Sequence, residues 1–277
     1  MNSKTQFSES VDQITADGFA LSWHNKPPMY SREQFMDWIE PLSKRDFENK
    51  SVLELGCGNG SLLFHLANWK PSQVLGMDLG AGVHTARNNL ANFPIVRIVQ
   101  GDLVTHVSNG YDVVICIGVL HHLKVPKEGL DSVIRNTAPG GRFHCWVYGR
   151  EGNGVVRLIV EPLRRVCRYL PWRITDLIAI GAIMPFYMYA KLLIWFKHVK
   201  QLKPLPLYQY AMWIGKEPFK FFRHMAFDAL IAHRTTYIAQ SNIVDWLASY
   251  AVIDKSTVYI IQRNGNSWKF GGQIKSG

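Results

Sequence analysis

The chain has 277 residues, of which 47% are hydrophobic and 19% are charged. This composition excludes an intrinsically disordered chain and is typical of a globular protein that buries a sizeable core. The net charge is +10 at pH 7, and it is unevenly placed, because residues 150–223 hold 13 basic and 4 acidic side chains. The four cysteines show no paired spacing and the polar start resembles no signal peptide, so we expect a cytoplasmic protein with reduced thiols.

The residue pattern predicts four segments in chain order. Residues 1–50 are expected to form a helical N-terminal segment. In residues 51–149 short β-branched runs alternate with helical stretches, which indicates βαβ units and a parallel sheet. The predicted strands are 51–55, 73–78, 95–100, 111–118 and 141–148. The predicted helices between them are 61–69, 82–91 and 128–136.

The second half of the chain has a different pattern. Residues 150–224 predict a helical insertion, since apolar stretches rich in Arg, Lys, Trp and Tyr are interrupted by prolines. Residues 225–277 predict a return to the core, with a helix over 241–249 and a final hairpin over 252–262 and 267–273. Ser241 is the expected N-cap of that helix.

A strand that runs into glycines and then into a helix spans Val52–Gly60. Such glycines permit a tight turn and a close approach of a ligand, and the helix start offers free N–H donors. Asp78 closes the next strand 20 residues past Gly58, where a carboxylate can accept both hydroxyls of a ribose. A plain strand–helix turn would also explain the glycines, and a lone acid at a strand end is often a cap. The spacing of the two features together favours a nucleotide-type ligand.

Five motifs in this order resemble those of the class I S-adenosylmethionine (SAM)-dependent methyltransferases: 52–60, 76–78, 101–102, 111–123 and 139–143. The nicotinamide-binding fold requires G-x-G-x-x-G, and here the third glycine comes one residue too early. The resemblance implies an α/β fold with a Rossmann-like seven-stranded, mostly parallel sheet that contains one antiparallel strand. The helical insertion would be added to this core as a cap.

The resemblance also implies that SAM is the cofactor. Glu54 would lie near the methionine amino group, Asp78 would hold the ribose hydroxyls, and Asp102 would accept from the adenine amine. The residues implied to contact SAM are Glu54, Gly56, Cys57, Gly58, Asn59, Gly60, Asp78, Leu79, Asp102, Leu103 and Gly118.

The pair His121 and His122 lies where substrate and cofactor meet in this family. The pair can act as a general base, or it can shape the loop and pack the following leucine; no third ligand with a metal-site spacing is near. A subgroup of bacterial methyltransferases with an Arg-rich helical insertion resembles residues 146–153 and 233–237. This second resemblance adds His233 and Tyr237 as catalytic candidates and Tyr148 and Arg234 as substrate contacts, although each could equally dock the insertion.

Residues 177–196 carry one charge, Lys191, and both flanks are basic. The length is near the minimum for a membrane span, but a span prefers its cations on one side. A helix in the membrane interface accommodates cations on both sides. Three alternatives stay open: a lid over an apolar substrate, a lid that also contacts anionic membrane, and a true span.

The function that these observations favour is SAM-dependent methyl transfer to a small or amphipathic acceptor. O-methylation of a lipid, a quinone-type phenol or a glycan-linked intermediate is preferred. The alternatives are an RNA methyltransferase, whose phosphate-binding surface would be residues 150–223, and a non-catalytic SAM-binding scaffold or regulatory subunit. Because the cations are interleaved with apolar residues, the pattern favours a membrane surface over nucleic acid as partner. It predicts no particular oligomeric state.

Overall fold

The computed structural model describes residues 11–23, 30–167 and 169–277. Arg168, one of the cations in the basic flank of the apolar run, lies outside these residues. The described chain contains one seven-stranded sheet with the strand order β3-β2-β1-β4-β5-β7-β6. Its strands are β1 (Ser51–Leu55), β2 (Gln73–Asp78), β3 (Val96–Gln100), β4 (Tyr111–Ile117), β5 (Thr137–Tyr148), β6 (Ile253–Arg263) and β7 (Ser267–Ile274).

The direction of the strands confirms the predicted sheet. β1 to β5 are parallel to one another, and β7 is antiparallel to both β5 and β6. β5 begins at Thr137, earlier than the predicted Gly141, because Thr137 pairs with Tyr111 before an irregularity in the β4–β5 register. Residues 139–141, which begin the last of the five motifs, are therefore part of a longer strand.

Helices cover both faces of the sheet and produce two apolar clusters. One cluster contains buried residues of α2, α4 and α5, and the other contains buried residues of α6 and α11. The helices of the N-terminal segment and core are α1 (Val11–Trp23), α2 (Arg32–Ile39), α3 (Lys44–Phe47), α4 (Ser61–Ala67), α5 (Gly82–Asn89), α6 (Pro126–Arg135) and α11 (Gln240–Ser249).

The insertion is helical, as its composition predicts. Its helices are α7 (Gly154–Cys167), α8 (Trp172–Trp195), α9 (Tyr208–Ile214) and α10 (Phe219–Ile231). α10 packs against α8 and α7 and also touches α1. The boundary that we place at residue 224 falls inside α10, so the last turns of this helix belong structurally to the insertion.

The predicted cap of α11 is wrong. The helix begins at Gln240 with Ala239 in the N-cap position, and Ser241 lies inside the first turn. The carboxylate of Glu151 takes the place of a local cap, since it accepts the N–H of Gln240 at 3.1 Å. The other oxygen of Glu151 accepts Trp268 Nε1–H at 2.9 Å, so one acid ties the start of the insertion to α11 and β7.

Candidate functional site

A cavity of about 400 Å³ opens beside the carboxyl ends of β1, β2 and β4. Ligands of open parallel sheets bind at this edge, where the strand order reverses between neighbouring strands. The glycine turn after β1 lines the cavity, and so do side chains of α1, α7 and α10. The insertion therefore contributes a wall to the same space that the strand ends open.

The turn after β1 requires glycine. Gly56, Gly58 and Gly60 have φ of 84°, 53° and 78°, in the left-handed region that side chains other than glycine rarely adopt. A Cβ on Gly56 would lie 2.2 Å from a methyl group of Val119. Gly56 and Gly58 line the cavity together with Cys57 and Asn59, whereas Gly60 starts α4 and does not reach it.

Asp78 lies at the end of β2 and shapes this turn. One carboxylate oxygen accepts the N–H of Gly58 and the other accepts the N–H of Gly80, both at 2.9 Å. Burial raises the pKa of Asp78, and the two N–H donors oppose this rise because they favour the charged form. Each oxygen keeps a lone pair, so the carboxylate can still accept hydroxyl groups of a ligand.

Glu54 is the most perturbed acid of the cavity. It is 1% exposed, and burial together with the nearby charge of Asp78 raises its pKa to about 8. Its Oε2 atom has no hydrogen-bond partner among the residues that the structure describes. A buried carboxylate oxygen without a partner is costly in the free protein, and a cationic ligand group would satisfy it.

The remaining predicted cofactor contacts also line the cavity. Leu79, Leu103 and Gly118 lie along its wall with Asp102. Asp102 is exposed, and one of its oxygens accepts the N–H of Val104 at 2.8 Å, which leaves the other oxygen without a bond to this N–H. Glu54, Asp78 and Asp102 thus line one cavity. This donor set fits SAM, which combines an ammonium group, two ribose hydroxyls and an adenine amine.

His122 lines the cavity beyond the glycine turn. Its Nδ1 atom lies 2.8 Å from the carbonyl oxygen of Arg234, to which it donates in the neutral tautomer. This leaves Nε2 as the acceptor of the ring. Burial lowers the pKa of His122 to about 4, so the imidazole is neutral at physiological pH. His122 can therefore orient a hydroxyl group, but it is a weak base.

His121 is not among the residues that line the cavity, and its catalytic role stays a prediction. It is fully buried, and burial holds its pKa well below the usual range. Its ring centroid lies 4.3 Å from that of His122 and 4.1 Å from that of Tyr148. Its backbone carbonyl accepts the N–H of Thr236 at 2.7 Å. His121 thus positions two residues that do line the cavity.

Residues 233–237 bond mainly to the turn that carries His121 and His122. Only Thr235 of these residues lines the main cavity, while His233 and Arg234 border a smaller pocket with Arg165. Tyr237 stacks on Tyr148 at 6.2 Å between centroids. The catalytic roles of His233 and Tyr237 and the substrate contact of Arg234 stay predictions, and these three residues do not line the main cavity. Tyr148 lines the main cavity, and its contact with substrate also stays a prediction.

Several residues that line the cavity were not predicted from the sequence. Phe19 of α1, Arg164 of α7 and Asp228 of α10 come together only because the insertion folds back over the sheet. Asp228 is the one acid of an otherwise apolar and basic helix, which is the only signal that the sequence offers for it. The other lining residues that we did not predict are Thr15, Ala16, Tyr30, Trp38, Ser61, Leu62, Val104, Ile117, Val119, Leu123, Lys124, Glu128, Trp146, Met225 and Ala229.

Asp228 and Arg164 belong to polar networks that join the cap to the rest. Asp228 accepts the hydroxyl of Ser22 in α1 at 2.7 Å and lies 3.1 Å from Nε2 of His224. Arg164 is 4% exposed, donates from Nε to the carbonyl of Ala229 at 2.7 Å, and pairs with Glu161. The cavity is thus lined by two charged groups of the cap, Arg164 and Asp228, in addition to the groups of the core.

Comparisons with known proteins agree with this geometry. Residues 53–143 match the family model described as a methyltransferase domain. The tRNA U34 carboxymethyltransferase of Helicobacter pylori (strain P12) is 36% identical over 103 residues, which are 35% of this chain and 40% of that protein. The ubiquinone biosynthesis O-methyltransferase of Acinetobacter baylyi is 28% identical over 142 residues, 49% of this chain and 58% of that one.

Among solved structures, the N-methyltransferase NodS of Bradyrhizobium japonicum WM9 in complex with S-adenosyl-L-homocysteine has the same fold, with a TM-score of 0.52 and 11% identity. That comparison covers 95% of this chain and 99% of the other. The match spans 28% of the length of an uncharacterised Synechococcus protein, 40% of the Helicobacter pylori protein and 58% of the Acinetobacter baylyi protein. The similarity therefore concerns the core domain and leaves the acceptor open.

Proposed function

We propose that this chain, which belongs through its core to the class I SAM-dependent methyltransferases, transfers the methyl group of SAM to a hydroxyl of a small aromatic or amphipathic acceptor. One observation carries the proposal. The acids that suit SAM line the same cavity as His122, Tyr148 and further aromatic rings. Both reactants would thus meet in one space that the cap shields from water.

The cofactor end would use the chain's own groups as follows. The ionised carboxylate of Glu54 would receive the ammonium group of SAM, and Asp78 would receive the ribose hydroxyls while it keeps its bonds to Gly58 and Gly80. When bound, SAM would supply its sulfonium methyl group to an acceptor oxygen that approaches in line: the C–O bond would form as the C–S bond breaks, S-adenosylhomocysteine would leave, and the hydroxyl proton would be lost to solvent. The residues of the chain hold both partners in that geometry, and positioning of this kind supplies a large part of the acceleration.

The acceptor end supports a planar, mainly apolar acceptor. Phe19, Tyr30, Trp38, Trp146 and Tyr148 contribute aromatic surface to the cavity. Nε2 of His122 can accept a hydrogen bond from the hydroxyl and so direct an oxygen lone pair toward the methyl group. Because residues of the insertion line the same cavity as these rings, a phenol that carries a longer apolar tail could extend toward the insertion.

The test is a methyl-transfer assay with the whole chain and SAM. The acceptors are a set of catechols and hydroquinones, their O-methylated counterparts, a phospholipid and bulk tRNA, and the products are identified by mass spectrometry. We expect methyl ethers from the free phenols and none from the blocked ones. Methylation of tRNA would instead support the RNA alternative. Tight SAM binding without transfer to any class would support a SAM-binding scaffold.

A further inference from the structure

The insertion exposes an amount of apolar surface that the methyl-transfer site does not use. Most of the large hydrophobic side chains exposed in the described chain belong to residues 155–205. Trp195 is 80% exposed, Leu158 77%, Tyr169 75% and Leu177 68%. Scattered exposed hydrophobic residues need no explanation, but a concentration of them in one segment marks an interaction surface.

Six exposed hydrophobic residues of α8 follow the period of a helix. They are Ile174, Leu177, Met184, Met188, Leu192 and Trp195, and all of them are at least 40% exposed; Trp172, the first residue of the helix, is also exposed but lies outside this set. Successive members lie three, four or seven positions apart, which places them on one face of the helix. We call these six residues the α8 stripe. At 1.5 Å per residue the helix is about 36 Å long, so the stripe is long for a surface feature.

The opposite face of α8 is occupied by the protein itself. Ala190 and Leu193 are buried in a cluster with Ala211 of α9 and Phe222 of α10. The side chain of Lys191 donates to the carbonyls of Gly215 and Glu217. By length and composition α8 could cross a membrane, and 17% of its most apolar window is buried. However, its packed neighbour α10 carries several charged groups, so lipid could meet α8 on one side only.

Cations border both ends of the α8 stripe. Arg173 precedes it, and Lys197, Lys200 and Lys203 follow it; all four are exposed. Over residues 172–203 the only acid is Asp176, which pairs with Arg223 of α10. Trp172 and Trp195, both exposed, mark the two ends of the helix, and tryptophan is favoured at the boundary between lipid and water. An apolar face framed by cations and tryptophans is complementary to anionic headgroups over acyl chains.

We propose that the α8 stripe and its flanking cations dock this protein on the surface of a membrane that contains anionic lipids. The helix lies in the plane of the interface, with the apolar stripe toward the acyl chains and the lysines near the phosphates. α7 and α8 both pack on α10, and Arg164 of α7 lines the cavity, so the docked segment is joined through α10 to the cavity wall. The docking does not depend on the identity of the acceptor.

The test measures co-sedimentation of the whole chain with phosphatidylcholine vesicles, with and without phosphatidylglycerol, in the absence of SAM and acceptor. We expect binding to the anionic vesicles and much weaker binding to the neutral ones. The binding should fall steeply as salt rises toward about 1 M, where charges are screened beyond about 3 Å. Equal binding to both kinds of vesicle, or none to either, would overturn the proposal.

Two variants separate the apolar and the ionic contributions. Leu177→Ser/Met188→Ser/Leu192→Ser should weaken binding at least tenfold, and its control Val107→Ser/Val244→Ser/Val252→Ser changes valines that are similarly exposed outside the insertion. Lys197→Gln/Lys200→Gln/Lys203→Gln should weaken binding about fivefold per lysine removed. Its control is Lys44→Gln/Lys50→Gln/Lys275→Gln.

Calorimetric binding of S-adenosylhomocysteine verifies that each variant is folded. Because vesicle binding is measured without reactants, its loss would not bear on methyl transfer, and failure of methyl transfer would not bear on docking. Size-exclusion chromatography adds a further outcome. The native chain could elute as a dimer and the α8 stripe variant as a monomer, with no vesicle binding by the native chain. This result would show that the α8 stripe binds a second copy of the chain, and it would overturn membrane docking.

Discussion

The carboxylate of Asp78 accepts the N–H of Gly58 at 2.9 Å, so the acid that ends β2 also holds the glycine turn that follows β1. The two residues lie 20 positions apart, on neighbouring parallel strands. The same carboxylate accepts the N–H of Gly80. Asp78 therefore arranges the cradle for the cofactor as well as offering acceptors to it.

This double role predicts the effect of replacing Asp78. In Asp78→Asn the amide NH₂ would face one of the two N–H donors, and in Asp78→Ala both bonds are lost. We expect each variant to bind S-adenosylhomocysteine at least tenfold more weakly, since charge-assisted hydrogen bonds contribute about 1.5–3 kcal/mol each. Calorimetry measures the affinity. Asp102→Ala is the control, because Asp102 is exposed and its side chain accepts one local N–H only. This variant should weaken the binding of S-adenosylhomocysteine less than the Asp78 variants do.

The raised pKa of Glu54 predicts a pH-dependent stability of the cofactor-free protein. Its folded pKa of about 8 exceeds the ordinary value of 4.5, so folding favours the protonated form. The ionisation penalty is absent below pH 4.5, grows as the pH rises through this window, and is complete above pH 8. Glu54→Gln cannot ionise. The melting temperature of this variant should therefore exceed that of the native chain, and by more at pH 8 than at pH 5. At about 1.4 kcal/mol per pKa unit, the ionisation of Glu54 lowers the free energy of unfolding of the native chain by several kcal/mol.

The same residue predicts the pH dependence of SAM binding. The ammonium group of SAM requires the ionised carboxylate, so the affinity of the native chain should rise between pH 6 and pH 8 as Glu54 loses its proton. Binding should release a proton in this range, which calorimetry in buffers of different ionisation enthalpy detects. Glu54→Gln should bind weakly at every pH. An affinity that is independent of pH in the native chain would contradict the role of Glu54.

The half of the site that contacts the cofactor could be predicted from the sequence, because its determinants are local. A strand, a glycine turn and an acid at the end of the next strand occupy a short stretch, and parallel pairing brings them together whatever follows. Ten of the eleven predicted contacts line the cavity. Gly60 is the exception, since its positive φ serves the start of α4.

The part of the cavity that the insertion lines could not be predicted, because its determinants are distant in sequence. Ser22 and Asp228 share a hydrogen bond across 206 positions, and no local pattern encodes such a contact. Their meeting depends on how α10 packs on α8 and α1. For the same reason the motif residues 233–237 suggested substrate contacts, whereas most of them bond to the turn that carries His121 and His122.

The two neighbouring histidines should respond differently to substitution. His122→Asn keeps a donor near the carbonyl of Arg234 but lacks the Nε2 acceptor, so we expect methyl transfer to fall about 10–100-fold through lost positioning. Its affinity for S-adenosylhomocysteine should not change. Because the pKa of His122 is about 4, the native rate should show no inflection from this residue between pH 6 and pH 8. His121→Phe should instead lower the melting temperature, and a rate loss in His121→Phe equal to that of His122→Asn would contradict this division.

Arg164 should control the stability of the cap, since its buried guanidinium joins α7 to α10. Arg164→Met leaves the carbonyl of Ala229 and the carboxylate of Glu161 without this partner. We expect the free energy of unfolding to fall by about 2–4 kcal/mol. This is at the lower end of the cost of breaking a buried ion pair, because the side chain of Glu161 is 28% exposed. The loss would lower the melting temperature by roughly 2–4 °C per kcal/mol in a chain of this size. Arg165→Met is the matched control, because Arg165 is the exposed neighbour in the same helix. Equal melting temperatures for the two variants would show that Arg164 does not hold the cap in place.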